Sequence, residues 1–225
     1  MRVLEYNRQN VRAIAHMDWI QQLQSANWHR VTGCVLEAYL LGCFATGYYF
    51  VRARTGKDLR KIESGSIGAR NAGRVLGKTG FMVTVLGDFG KGALAVWIAQ
   101  KWTGDSHLAL FALLAVVMGH LWPVQLRFQG GKGVAASLGA LLVLDYRIAL
   151  MFPVFFVVGF LLMRKTLLPA MFAFACLPMA AWFFNCDNFT VALLTFLAAL
   201  ILFAHRRNLT EEFAVLAARR RGHQT

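Results

Sequence analysis

Charged residues are scarce in this sequence, and their scarcity limits the class of protein. Asp, Glu, Lys and Arg make up 16% of the 225 residues, while 57% are hydrophobic; soluble domains carry roughly 25% charged residues. The apolar residues come in blocks long enough to cross the ~30 Å hydrocarbon core of a bilayer, which takes about 20 residues of helix. The composition therefore excludes a soluble domain and predicts one helical membrane domain.

Cysteine is also rare, and its positions form no metal-binding or disulfide pattern. The four cysteines contain no CxxC pair, and three lie inside apolar blocks. Neither a zinc site nor a disulfide framework is indicated. The net charge of +13 is spread between apolar blocks, where membrane topology and anionic headgroups or substrates explain it better than nucleic acid does.

The N-terminus lacks the apolar h-region of a signal peptide. Residues 1–31 are interpreted as an N-terminal extension, which is either an interfacial helix or a loosely ordered segment. The membrane bundle is expected over residues 32–208, and a basic cytoplasmic tail over 209–225. No internal repeat or domain linker divides the bundle.

Seven apolar blocks predict an all-α, polytopic bundle of about seven transmembrane helices. With the N-terminus outside, the segments on the inner side hold seventeen of the 24 Lys and Arg residues, as the positive-inside rule expects. Dropping the short fourth block would move Arg164, Lys165 and the C-terminal arginines outside. The predicted spans are residues 32–51, 80–99, 106–122, 133–145, 147–163, 167–184 and 189–204.

The longest inner loop, residues 57–80, has the composition of an anion site. It reads KDLRKIESGSIGARNAGRVLGKTG and combines five glycines with two serines, an asparagine and many cations. Glycine lets backbone amides face a ligand, and the polar side chains add hydrogen-bond donors. Arg70, Arg74 and Lys78 recur at i, i+4 and i+8, so in a helix they would line one face and clamp a phosphate dianion.

A second inner loop carries a glycine-rich turn that runs into an apolar block. Gly130, Gly131, Lys132 and Gly133 come directly before residues that predict a helix. A helix N-terminus with a neighbouring lysine binds anions through its dipole and free amides. The spacing is not that of a Walker A motif, so nucleotide hydrolysis is not supported.

Several ionisable residues lie within or at the ends of the predicted spans. Asp88 and Lys91 are spaced to pair on one helical face, either as a buried structural ion pair or as part of a site. His120 ends the third span, and His205 ends the seventh with Asn208 close behind. Each histidine is a candidate acid or base, or an interfacial residue; together with two phosphate loops on the same membrane face they indicate a site.

Three blocks of the sequence resemble one enzyme family. SGSIGARNAGRVLGK (64–78), DFGKG (88–92) and GHLWPVQLRFQGGKGVA (119–135) resemble the bacterial acyl-phosphate:glycerol-3-phosphate acyltransferases in order and spacing, over about residues 38–208. The resemblance implies a bundle of about seven helices in the bacterial inner membrane with its site facing the cytoplasm. The implied reaction moves a fatty acyl group from acyl phosphate to glycerol 3-phosphate and gives lysophosphatidate and phosphate, without metal or coenzyme.

The resemblance also implies functional residues. Ser64, Arg74, Lys132, His205 and Asn208 fall on functional positions of the family pattern, followed by Asn71 and Lys78. Together with the loop chemistry, this predicts Ser64, Lys132 and His205 as catalytic. The phosphate-binding residues are expected to be Ser66, Arg70, Asn71, Arg74, Lys78, His120, Gly130, Gly131 and Asn208.

Two departures from the family pattern leave alternatives open. The serine-containing stretch between the fifth and sixth spans is replaced by RKTLLPA, which leaves Thr166 as its hydroxyl, and the Arg-Leu and Gly-x-Glu patterns after HRRNL are missing. The alternatives are a transporter of phosphate or phosphorylated solutes and a catalytically inactive paralogue. For the enzyme, the acceptor proton would go either to His205 or to the leaving phosphate.

Overall fold

The computed structural model describes residues 27–222, and the regular structure in that range is helical, with no strand. Most of the predicted N-terminal extension lies outside the described residues. Short 3-10 turns lie in two of the loops, at Leu59–Lys61 and Val124–Leu126. The α-helices of the described range are α1 (Trp28–Cys43), α2 (Thr46–Thr55), α3 (Ala69–Thr103), α4 (Ser106–Leu121), α5 (Val134–Leu144), α6 (Tyr146–Met163), α7 (Leu167–Phe183), α8 (Asn188–Ala204) and α9 (Arg206–Gly222).

Every predicted apolar block is helical, and the prediction of an all-α membrane bundle is confirmed. Four segments are long and apolar enough to cross a bilayer: Trp28–Thr55, Ala69–Thr103, His107–Leu126 and Tyr146–Met163. A fifth is added if α8 and the start of α9, which are bent by 61°, count as one span. Because α5 and α7 are apolar but shorter, the count of seven spans stays a prediction.

Glycines allow the central helices to cross at close range. A Cβ on Gly42 of α1 would lie 2.2 Å from the carbonyl oxygen of Val116 in α4, and one on Gly119 would lie 2.1 Å from that of Tyr39. Helices α3 and α5 cross in the same way, through Gly92 and Gly139. Small residues at helix contacts give membrane bundles the van der Waals packing that holds them together. These crossings fix α4 and α5, which flank the second inner loop.

The first predicted span is broken, which its continuous apolar sequence did not indicate. Helix α1 ends at Cys43 and α2 begins at Thr46. The Lys91 ammonium donates to the carbonyl oxygens of Gly42 (2.9 Å) and Phe44 (2.7 Å) and lies 3.1 Å from the Asp88 carboxylate. Non-helical backbone at membrane depth must have its polar groups satisfied by the protein. The Asp88–Lys91 pair therefore has the structural role that the sequence left open.

A second break changes the interpretation of the first inner loop. Gly77, at φ 63° and ψ −153°, interrupts α3 in a conformation that is open to glycine alone. The chain folds back there, because a Cβ on Gly80 would lie 2.4 Å from the carbonyl oxygen of Ala72. Lys78 thus follows the break, and the predicted single helical face through Arg70, Arg74 and Lys78 is wrong.

Replacing Lys91 by Met is expected to destabilise the protein. The substitution removes the donor to two carbonyl oxygens and the partner of the buried Asp88, and breaking a buried ion pair costs ~3 kcal/mol or more. Thermal unfolding of the purified protein in detergent measures the effect. Lys101→Met removes an exposed cation from the same helix and should leave the midpoint unchanged. Equal midpoints for the two variants would contradict the structural role of Lys91.

Candidate active site

The first inner loop is held in shape by Asn71. Its side chain is 2% exposed, and its Nδ2 donates to the carbonyl oxygens of Leu59 (3.1 Å), Ile62 (3.0 Å) and Ser66 (2.8 Å). The Ser66 hydroxyl in turn accepts a hydrogen bond from the Gly68 amide at 3.3 Å. Both residues were predicted to bind phosphate. The structure places them inside the loop, where their side chains form hydrogen bonds with its backbone.

Arg60 joins this loop to the second inner loop, and the sequence did not single it out from its basic neighbours. Its guanidinium lies 2.6 Å from the Asp58 carboxylate and donates to the Leu126 carbonyl oxygen at 3.2 Å. It also lies over the Tyr48 ring, 5.2 Å from the centroid. The hydrogen bond from Arg60 lowers the pKa of Asp58 to about 2. The two inner loops are therefore connected by a charged, directional contact.

The second inner loop packs tightly on His120. A Cβ on Gly131 would lie 2.1 Å from His120 Nε2, and one on Gly130 would lie 2.2 Å from the His120 carbonyl oxygen. The Gly131 amide donates to that carbonyl oxygen at 3.0 Å. The sequence predicted that Gly131 binds phosphate, but in the structure its amide donates to this carbonyl oxygen instead. The glycines are needed here for close packing, and α5 starts directly after Gly133, which has φ 82°.

His120 itself lies beneath the loop. Its ring is 5% exposed, and Nδ1 is 3.6 Å from the Asp88 carboxylate. His120 was predicted to bind phosphate. In the structure it packs against the second inner loop, next to the ion pair that stabilises the break between α1 and α2. Loop and break form one polar network inside the bundle.

Three inner segments meet around an open cavity of ≈ 630 Å³. The Arg70 guanidinium donates to the Thr166 hydroxyl at 3.3 Å, which ties the start of α3 to the α6–α7 loop. The Lys132 ammonium donates to Asn208 Oδ1 at 2.6 Å, which ties the second inner loop to α9. The lining comprises Arg70, Lys165, Thr166, Leu167, Asn208, Glu211 and Glu212.

Burial and neighbouring charges change the pKa of Lys132. Burial lowers the pKa of Lys132, and the positive charge of Arg70 lowers it further, against the opposing effect of Glu211. A phosphate dianion between Arg70 and Lys132 would relieve their repulsion, because its oxygens accept from both cations. The arrangement is therefore suited to an anionic ligand.

His205 lies at the end of α8, and its ring is 5% exposed. Its Nδ1 is 2.9 Å from the carbonyl oxygen of Ile201, which can only accept, so Nδ1 carries the proton. Nε2 is then the acceptor nitrogen of the neutral ring. His205 has the tautomer of a general base, although it is not among the residues that line the cavity.

The other predicted residues lie on exposed segments of the described chain. Ser64 and Lys78 are exposed, and Arg74 is paired with Glu63 at 3.7 Å. None of the three is in the cavity lining. In the part of the chain that the structure describes, no group of three or more His, Cys, Asp and Glu side chains could hold a metal ion.

The fold is that of a polytopic helical membrane protein, and a cavity lined by Arg70, Lys165 and Asn208 has the donors that bind phosphorylated molecules. The model of the family "Glycerol-3-phosphate acyltransferase" matches residues 32–214. The chain belongs to this family. Its recognition from the three sequence blocks is thereby confirmed.

Related proteins cover most of the chain. Glycerol-3-phosphate acyltransferase 1 of Bacillus cereus is 38% identical over 172 residues, which is 76% of this chain and 94% of that protein. The protein of the same name from Desulfitobacterium hafniense is 41% identical over 187 residues, or 83% and 93%.

Two solved structures have the same fold. Both are crystal structures of PlsY (YgiH), an integral membrane glycerol 3-phosphate acyltransferase, and both comparisons cover 82% of this chain and 92% of that one. The glycerol 3-phosphate form gives a TM-score of 0.75 at 32% identity. The lysophosphatidic acid form gives 0.73 at 30%.

Gly131→Ala is expected to impair the enzyme strongly. The new Cβ would meet the His120 ring and push the loop that carries Lys132 out of place, and a shift of about 1 Å in a site can cost ~100-fold in rate. Acyltransferase activity of the purified variant measures the effect. Gly90→Ala is the matched control, since a Cβ there meets nothing within 4 Å. Equal activity of the two variants would contradict the close packing of the loop on His120.

Proposed function

We propose that this protein transfers a fatty acyl group from acyl phosphate to the hydroxyl of glycerol 3-phosphate, giving lysophosphatidate and inorganic phosphate. The observation that carries the proposal is the convergence of Arg70 and Lys132 beside one cavity, with Lys132 hydrogen-bonded to Asn208. Family membership supports it, as do the glycerol 3-phosphate and lysophosphatidic acid forms of the similar solved structure.

The chemistry requires positioning more than activation. An acyl phosphate is already an activated donor, so the site has to hold two phosphates near each other and align the acceptor hydroxyl. Arg70 and Lys132 supply the positive charge that offsets the repulsion between the phosphates. The hydroxyl oxygen attacks the acyl carbon, the bond from that carbon to the phosphate oxygen breaks, and phosphate leaves.

The acceptor proton has two possible destinations in this geometry. The leaving phosphate accepts a proton near neutral pH and is released at the reacting atoms. His205 has an acceptor Nε2 but lies buried beside the cavity rather than in its lining. We assign the proton to the leaving phosphate, and His205 to a supporting position near Lys132. For Ser64, in the exposed part of the first inner loop, we keep the predicted catalytic role of positioning the transferred acyl group.

The first test is phosphate release by the purified protein in lipid or detergent, with palmitoyl phosphate in the presence and absence of glycerol 3-phosphate. Release should depend on the acceptor and fall about 100-fold in Lys132→Ala, as expected for loss of a charge-stabilising donor. Lys57→Ala removes an exposed cation from the first inner loop and should retain activity. If the unmodified protein releases no phosphate in response to glycerol 3-phosphate, the proposal is contradicted, and a transporter or an inactive paralogue is favoured.

The proposed location is the bacterial inner membrane, with the N-terminus outside and the site facing the cytoplasm. Family membership supports an integral membrane enzyme, and the distribution of Lys and Arg supports this orientation.

Reporter fusions test the orientation. Alkaline phosphatase, which is active only outside the cytoplasm, should be active when fused after Gly104 and inactive when fused after Thr225. A fluorescent protein that matures in the cytoplasm should give the reverse pattern. Active phosphatase at the C-terminus would reverse the proposed orientation.

A further inference from the structure

Besides Arg70, the cavity is lined by a second cation, which the proposed mechanism does not use. Lys165 comes from the α6–α7 loop and lines the cavity together with Arg70 and Asn208. Its neighbour Thr166 already accepts the hydrogen bond from Arg70. Lys165 therefore belongs to a segment that lines the cavity together with the start of α3 and with α9.

Lys165 is neutralised by a carboxylate of the C-terminal helix. Its ammonium forms an ion pair with Glu212 of α9, and the two side chains are 27% and 25% exposed. Glu211 of the same helix turn also lines the cavity. Carboxylates in a cavity repel a phosphate ligand. Glu212 therefore weakens substrate binding unless its carboxylate can be displaced from Lys165.

A phosphate is a stronger partner for Lys165 than Glu212 is. It carries up to two negative charges and three acceptor oxygens, whereas the carboxylate carries one charge and two oxygens. The pair is partly exposed to solvent, where ion pairs hold together only weakly. An arriving phosphate can therefore take the place of the carboxylate without breaking a strong contact.

We infer that Lys165 exchanges the Glu212 carboxylate for a substrate phosphate, so that α9 competes with substrate for this cation. The inference rests on the proposed function, which places phosphorylated substrates in the cavity. The ion pair holds α9 against the α6–α7 loop, although α9 is bent by 61° from α8. With substrate bound, Lys165 becomes a third phosphate ligand beside Arg70 and Lys132.

The kinetic test measures KM separately for glycerol 3-phosphate and for palmitoyl phosphate, which shows which of the two phosphates Lys165 binds. Lys165→Gln should raise one of these KM values about tenfold, since a hydrogen bond to a charged group is worth about that factor. Glu212→Gln should lower the same KM roughly threefold by removing the competitor. In the Lys165→Gln background, Glu212→Gln should lower that KM less than it does alone, because the competition for Lys165 is gone and only the direct repulsion of the phosphate remains.

Arg164→Gln is the matched control, because it removes an exposed cation one residue away that does not line the cavity. It should leave both KM values near those of the unmodified protein. If Glu212→Gln raises the KM values or leaves them unchanged, α9 does not compete with substrate. If Lys165→Gln changes them no more than Arg164→Gln does, Lys165 is not a ligand. Variants enter the comparison after eluting as folded protein in gel filtration.

A binding measurement separates this inference from the proposed function. Inorganic phosphate should raise the thermal unfolding midpoint of the full chain in detergent, relative to chloride at equal ionic strength. The rise should be smaller in Lys165→Gln and larger in Glu212→Gln. If phosphate shifts the midpoints in this way but turnover does not depend on the acceptor, the acyltransferase proposal is overturned and the exchange at Lys165 stands. If turnover depends on the acceptor but the midpoints do not shift in this way, only the exchange at Lys165 is overturned.

Discussion

The Lys91 ammonium lies inside the bundle, and its contacts stabilise the break against which the second inner loop packs. It binds the carbonyl oxygens at the break between α1 and α2, and Gln125 of the second inner loop binds the remaining carbonyl oxygen there, that of Cys43. Tyr39 of α1 donates to the Trp122 carbonyl oxygen of the same loop at 2.8 Å. Without water to satisfy these groups, each unpaired one would cost several kcal/mol. The break and the loop that carries Lys132 are therefore held together.

Cations and carboxylates meet at the cavity, where Arg70 and Lys165 lie among the lining residues together with Glu211 and Glu212. Arg70 and Lys132 are close enough for the first to lower the pKa of the second, while Lys165 and Glu212 neutralise each other. Like charges in a partly buried site are expensive, because the protein screens them less than water does. In the described structure the Glu212 carboxylate is the anionic partner of Lys165. Under the proposed exchange, a substrate phosphate would replace this carboxylate as the partner of Lys165.

The sequence predicted the helical blocks and the glycine-rich entry into α5 because both depend on local patterns of hydropathy and glycine. It did not predict the break after Cys43, because residues on either side are apolar and the partner that stabilises the break, Lys91, is 47 residues further along the chain from Phe44. The Gly77 break was hidden by the regular spacing of Arg70, Arg74 and Lys78. Spacing predicts a shared face only while the helix continues.

The predicted site residues fall into two groups, those beside the cavity and those that hold the loops. Charge and amide groups in glycine-rich or terminal segments indicated Lys132, Asn208 and Arg70. In the structure Arg70 and Asn208 line the cavity and Lys132 contacts Asn208, while their role as substrate ligands stays a prediction. Asn71 and His120 have the same chemistry, yet the bundle uses them to hold loop backbone and to support Gly131. Residue type alone cannot separate a ligand contact from a loop contact, because both need the same donors. Only the tertiary position of the nearest acceptor decides which role a polar side chain has.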